Sequence, residues 1–151
     1  MKKFIWVIII AVVFLSLGFY LVAYGNKSPE ETSINYGISL STDKMSYSIG
    51  ESINMTLKVF NYTEEDVVFH FNTSQRYDFI IEDKEGNEVW HWSKDRMFSM
   101  MIGEEVLGLD NPEIIYTAEY KGKLNPGYYK VTGILVVQDR PMSGSIIIEV
   151  K

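Results

Sequence analysis

The sequence predicts an all-β antiparallel sandwich preceded by one N-terminal transmembrane helix. Three observations carry this expectation. From residue 36 onward, eight or so short runs of β-branched and aromatic residues recur at roughly ten-residue intervals with turn residues between them. The chain holds 10 Tyr and 8 Phe, residue types that favour pleated, half-buried surfaces. Only one stretch, Phe4–Tyr24, is apolar for long enough to make a long helix.

That stretch follows Lys2-Lys3 and contains 21 uncharged residues. As a helix it spans roughly 30 Å, enough to cross a bilayer. The lysines before it and Glu30-Glu31 after it orient the N-terminus inward and the remainder outward. Trp6, Tyr20 and Tyr24 suit the two interfaces. A secretory signal cleaved near Gly25, at Ala23-Tyr24-Gly25, is the alternative, but the apolar run exceeds the usual ~7–15 residues of such a signal. The expected organisation is therefore an anchor or signal over 1–25, a polar tether over 26–35, and a sandwich domain over 36–151.

Within that domain, Gly37–Thr42 is a first strand and Met45–Ile49 a short edge segment stopped by Gly50-Glu51. Ser52–Asn61 alternates, with Ile53, Met55, Leu57 and Val59 on one face, the pattern of a half-buried strand. Asn61–Asp66 is a polar turn and Val67–Phe71 the next strand. Tyr77–Glu82 and Val89–Ser93 flank a turn at Gly86-Asn87, the signature of a β-hairpin. Tyr77, Phe79 and Ile81 share one face of the first arm; Trp90 and Trp92 share one face of the second. With Phe98 these aromatics supply much of a small core. Phe98–Ile102 is expected as a short strand and Gly103–Pro112 as a loop. Glu113–Tyr120, Tyr128–Val137 and Ser145–Val150 complete the strands, with an Asp139–Gly144 turn before the last. Leu124, Pro126, Gly127 and Tyr129 have the spacing of a tyrosine corner, which makes the sandwich immunoglobulin-like.

The composition excludes several functions. No cysteine is present, so disulfides and thiol chemistry are out. Net charge is −6, and beyond Lys3 it is −8 (12 basic residues against 20 acidic), a balance that repels nucleic acid and anionic lipid. His70 and His91 lie inside strands without a second ligand at metal-binding spacing. The carboxylates cluster in turns, and no phosphate loop, nucleophile elbow or dinucleotide fingerprint occurs. The expectation is a non-enzymatic chain with no cofactor, no metal and no small-molecule substrate. Sequons begin at Asn26, Asn54, Asn61 and Asn72, which an exported chain could carry glycosylated or by chance. For protein binding the candidates are Ser74, Gln75, Arg76 and Tyr77 before the hairpin, since Arg and Tyr are enriched at interfaces. Loops at Gly103–Pro112 and Gln138–Gly144 are further docking places.

Ser74-Gln75-Arg76-Tyr77-Asp78-Phe79, then Val89-Trp90-His91-Trp92-Ser93, then Met97-Phe98, resembles the signature of the BsuPI family of intracellular proteinase inhibitors. Leu57–Asn61, a strand ending in Asn, and Pro126-Gly127-Tyr128-Tyr129 fit the same pattern, which covers roughly Met45 to Val137. The resemblance implies an immunoglobulin-like β-sandwich without catalytic activity, similar to one that binds and inhibits a subtilisin-like serine protease. It also implies a structural role for Asp78, Phe79, Trp90, Trp92, Phe98, Pro126, Gly127 and Tyr129. Two features depart from the family: the export or anchor segment, and Asp110-Asn111-Pro112-Glu113 in place of its acidic Pro-Gly-Glu-type turn. The expected function is an extracytoplasmic protein-binding module on a single-pass anchor, its partner a subtilisin-type protease. The alternative is a structural or adhesion module of the cell envelope with no protease partner.

Overall fold

The computed structural model describes residues 36–138 and 141–151. The predicted anchor over 1–25, the tether over 26–35, and Asp139 and Arg140 of the last turn lie outside them. Among the described residues no helix is long and apolar enough to cross a membrane.

Ten strands run through the described residues: β1 (Tyr36–Thr42), β2 (Ser46–Tyr47), β3 (Ile53–Asn61), β4 (Val67–Phe71), β5 (Tyr77–Glu82), β6 (Glu88–His91), β7 (Gly103–Leu107), β8 (Glu113–Tyr120), β9 (Gly127–Leu135) and β10 (Met142–Val150). They form a three-stranded sheet β1-β3-β8, a five-stranded sheet β2-β10-β9-β5-β6 and a two-stranded ribbon β4-β7. All pairs are antiparallel except β2 with β10.

The alternation in β3 sets the core. Ile53, Met55, Leu57 and Val59 are all buried, because a period of two puts every second side chain on one face. Three of them meet Phe79 and Ile81 from β5, Val131 from β9, and Ile148 and Val150 from β10 in one apolar cluster between the two larger sheets. Val59 joins Phe69, Phe71, Leu107 and Leu135 in a second cluster beneath the ribbon. Gly133 of β9 makes room for this packing: a Cβ there would stand 2.8 Å from Leu57 Cδ1 and 3.0 Å from Leu40 Cδ1. The result is the all-β, immunoglobulin-like sandwich that the strand spacing predicts.

The hairpin forms as expected. Asp83 closes its turn, its Oδ1 accepting from the backbone N–H of Glu85 at 3.0 Å and of Asn87 at 2.8 Å, while Gly86 adopts φ of 83°. At the tyrosine corner, the Tyr129 hydroxyl donates to the carbonyl of Asn125 at 2.9 Å, tying the start of β9 to the loop before it.

Three expectations fail. Phe98–Ile102 is not a strand; residues 96–102 pair with no ladder and contain no turn or bend. Conversely, much of the predicted Gly103–Pro112 loop is strand β7, which pairs with β4 from Phe71↔Gly103 to Val67↔Leu107. The apolar residues that suggest a strand precede the true one. In β7 itself Glu104 and Glu105 interrupt the apolar pattern, and these acids lie on an edge ribbon where charge is tolerated. β10 also begins at Met142, directly after Pro141 and earlier than the expected Ser145.

One sequon asparagine is fully engaged by the fold. Asn61 Nδ2 donates to the carbonyls of Glu65 and Leu107, and its Oδ1 accepts from the N–H and hydroxyl of Thr63.

Candidate functional site

Residues 72–76, 96–102 and 136–138 converge at one end of the sandwich. β4 delivers the first segment, the end of the hairpin the second and the end of β9 the third. Backbone bonds weld them together: Val136 N–H donates to Arg76 O and Gln138 N–H to His70 O, each at 2.9 Å. Ser74 meets Ser99 twice, through Ser74 N–H to Ser99 O at 2.9 Å and Ser99 N–H to Ser74 Oγ at 3.0 Å.

The four predicted binding residues lie here but face different ways. Arg76 is braced from within: its Nε bonds Glu105 at 3.2 Å, one Nη donates to Thr73 O at 2.7 Å, and the guanidinium lies 4.5 Å over the Phe71 ring. Gly103 leaves the space for it, since a Cβ at that position would collide with Arg76 Nη2. Arg76 thus ties the ribbon to β5, with its side chain only 22% exposed. Tyr77 stacks on Tyr116 at 4.7 Å and lies tilted against Trp92 at 4.4 Å. Gln75 donates to Tyr77 O and to Asp78. Ser74 alone of the four holds a neighbouring loop at the surface.

Beneath this end sits Asp78, buried although charged. Its carboxylate accepts from Phe79 N–H (2.8 Å), Gln75 Nε2 (3.1 Å), Ser93 N–H (3.2 Å) and the Ser93 hydroxyl (2.5 Å), and faces His91 Nε2 at 2.9 Å. The other ring nitrogen of His91, Nδ1, lies 2.9 Å from Glu88 Oε2. Carboxylates only accept, so both nitrogens are satisfied together only when both carry protons. Burial by itself would lower the pKa of His91, but bonding and attraction to Asp78 and Glu88 outweigh it and hold the value above the usual 6.5. Ser93, His91 and Asp78 do not form a catalytic triad. The hydroxyl donates to the carboxylate rather than to the imidazole, so no base is placed to activate it. The set locks β5 to β6 and the turn after it.

That turn launches residues 96–102. Trp92 carries Arg96 over its ring at 4.1 Å and contacts Phe98 at 6.0 Å between centroids. On both sides of Phe98 the chain exposes apolar side chains: Met97 before it, and Met100 (87%), Met101 (67%) and Ile102 after it, all project from the surface. The sequence carries a signal for this segment that strand-reading misses. Met97-Phe98-Ser99-Met100-Met101-Ile102 is apolar without alternation, and no second face explains it. Elsewhere His70 pairs with Glu104 across the ribbon at 3.0 Å, on the surface. Among the described residues no group of three His, Asp or Glu side chains is placed to hold a metal.

The other residues named with the resemblance are placed as follows. Phe79 is fully buried, Trp90 packs on Tyr120 at 5.4 Å, and Pro126 and Gly127 form the corner that Tyr129 closes.

Solved structures similar to this chain include a β-glucosidase from Erythrobacter marinus (10% identity, TM-score 0.44), of which the match covers 15% against 77% of this chain. A sporulation control protein from Bacillus subtilis matches at 13% identity and TM-score 0.47, over 78% of this chain and 49% of that one. The CARDB domain of a Pyrococcus furiosus protein, solved with di-metal ions, matches at 10% identity and TM-score 0.44, over 77% of this chain and 87% of the domain. No curated protein matches the chain in sequence. The family model of BsuPI, intracellular proteinase inhibitor, matches residues 40–140, a span that holds the Asp78 network, Trp90 and Trp92, the tyrosine corner and the exposed loop, and the chain belongs to that family.

Proposed function

We propose that this chain is a non-enzymatic inhibitor of a subtilisin-type serine protease, displayed outside the cytoplasm on an N-terminal membrane anchor. The family's name supplies the proteinase as partner. The observation that favours inhibition through this end of the fold is the exposed apolar segment Met97–Ile102, fastened to Ser74 and backed by Trp92. Monomeric proteins seldom leave contiguous apolar surface of this kind without a binding role. The test is inhibition of a purified subtilisin-type protease by the full chain in mild detergent. Inhibition by folded chain, lost on heat-unfolding, supports the proposal; an equal effect from both samples reduces the chain to a competing substrate.

The extracytoplasmic placement is supported by Phe4–Tyr24 and the charges flanking it, whereas the family is named intracellular. A membrane-impermeant amine reagent applied to intact cells should label the domain's surface lysines, such as Lys84 and Lys121. Labelling only after lysis would place the domain inside.

A further inference from the structure

We infer that residues 98–102 are a substrate-like inhibitory segment, unpaired in the free protein, and that Met100 is the side chain that enters the primary specificity pocket of the protease. This rests on the inhibitor function proposed above and assigns it to one residue.

The assignment comes from the backbone. Residues 96–102 contain no turn or bend, and in a chain that runs straight the N–H and C=O groups of successive residues point to opposite edges. Ser99 turns both of its groups toward the scaffold, where they meet Ser74 at 2.9 and 3.0 Å. Met100 therefore turns its own to the open edge. Among the described residues, neither Met100 nor Met101 makes a backbone hydrogen bond. An unpaired extended edge is what a protease cleft takes up, by adding it as a strand to its own backbone. The side chain on that free residue is 87% exposed, unbranched and apolar, which suits a hydrophobic specificity slot and not one with a carboxylate at its base.

The support behind the strand distinguishes an inhibitor from a substrate. Phe98 rests on Trp92, Ser99 is held by Ser74, and Gly103 is locked into β7 opposite Phe71. A strand held at both ends loses little freedom on binding, so affinity is gained by preorganisation. If the protease cleaves it, the bond broken is Met100–Met101. One water is consumed, leaving a carboxylate on Met100 and an amine on Met101, and the scaffold keeps both ends near each other. Ser74 is a positioning residue in this scheme, since it touches only the strand.

The experiment compares the full chain with four variants against two proteases, one with an apolar specificity pocket and one with an aspartate at its base. Met100→Asp should weaken inhibition of the first by about 30-fold or more, the loss expected of an interface hot spot. Met100→Lys should move inhibition toward the second protease. Ser74→Ala should raise cleavage at Met100–Met101 relative to inhibition, with Ser74→Thr restoring the balance; a purely structural role would leave that ratio unmoved. Met100 and Ser74 variants are first checked for unchanged thermal unfolding, which the exposure of Met100 leads one to expect. If the native chain inhibits and Met100→Asp inhibits equally, the strand assignment is overturned while the inhibitor function stands. If the native chain inhibits neither protease, the function itself fails and takes the assignment with it.

Discussion

Asp78→Ala is expected to destabilise the domain by about 3–5 kcal/mol, the range seen when one partner of a buried charged pair is removed. The carboxylate is held by backbone, side-chain amide, hydroxyl and imidazole donors at once. Alanine would strand the backbone N–H groups of Phe79 and Ser93 and leave His91 with Glu88 alone. Each unsatisfied buried donor costs about 1–3 kcal/mol, and they are not additive. Against a typical total of about 5–15 kcal/mol, the loss removes a large part of the folded state's margin. Denaturant unfolding reads it out, and a change below about 1 kcal/mol would mean that the network contributes no more than one ordinary hydrogen bond. A pH series adds a second signature. Because the folded pKa of His91 is raised, its stabilising contribution is complete below about 6.5, the unfolded value. It is lost as pH climbs through the higher folded value. Native stability should therefore decline above neutral pH, and the decline should be shallower in Asp78→Ala.

Phe79→Ala should cost about 3–5 kcal/mol, the usual range for emptying an aromatic site in a core. Phe79 is fully buried between the two larger sheets, edge-on to Tyr77 at 5.7 Å. Gly133 brings β9 close on the other side, where a Cβ would lie 3.4 Å from the Phe79 ring. The site has little freedom to collapse, because the flanking strands are pinned by β5–β9 pairing from Tyr77 to Glu82. A lowered denaturant midpoint with unchanged slope is the expected result. A cost under about 1.5 kcal/mol, typical of volume-conserving swaps, would mean that the core repacks around the cavity.

The sequence made the framework legible where local rules are strict. The alternation of Ile53, Met55, Leu57 and Val59 gave a face and a register, and the Gly86-Asn87 turn between aromatic arms gave the hairpin. Leu124-Asn125-Pro126-Gly127 with Tyr129 gave the corner, down to which hydroxyl closes it. By the alternation of β5, Asp78 lies on the face opposite Phe79. Its burial depends on Gln75, His91 and Ser93 folding over it, contacts up to 15 residues apart that no periodicity encodes. Arg76 looked like an interface residue by type. Whether it faces outward is settled by Glu105, 29 residues on, and by the missing side chain of Gly103. The strand boundary near Gly103 was misplaced because Met97–Ile102 has the apolar composition of a strand, while the real strand β7 carries two glutamates. Met100 is hidden for the same reason: its proposed role is argued from the Ser74–Ser99 pairing, which joins residues 25 apart.

The most direct test of this account is a titration of a subtilisin-type protease, at a concentration far above the dissociation constant, with the full chain in mild detergent. The expected result is a linear fall in activity to near zero at about one chain per protease molecule, as for a tight pre-organised complex. The chain should be recovered intact, or cut only at Met100–Met101. A folded chain that is degraded throughout the sandwich, with activity returning in full and no equivalence point, would contradict it.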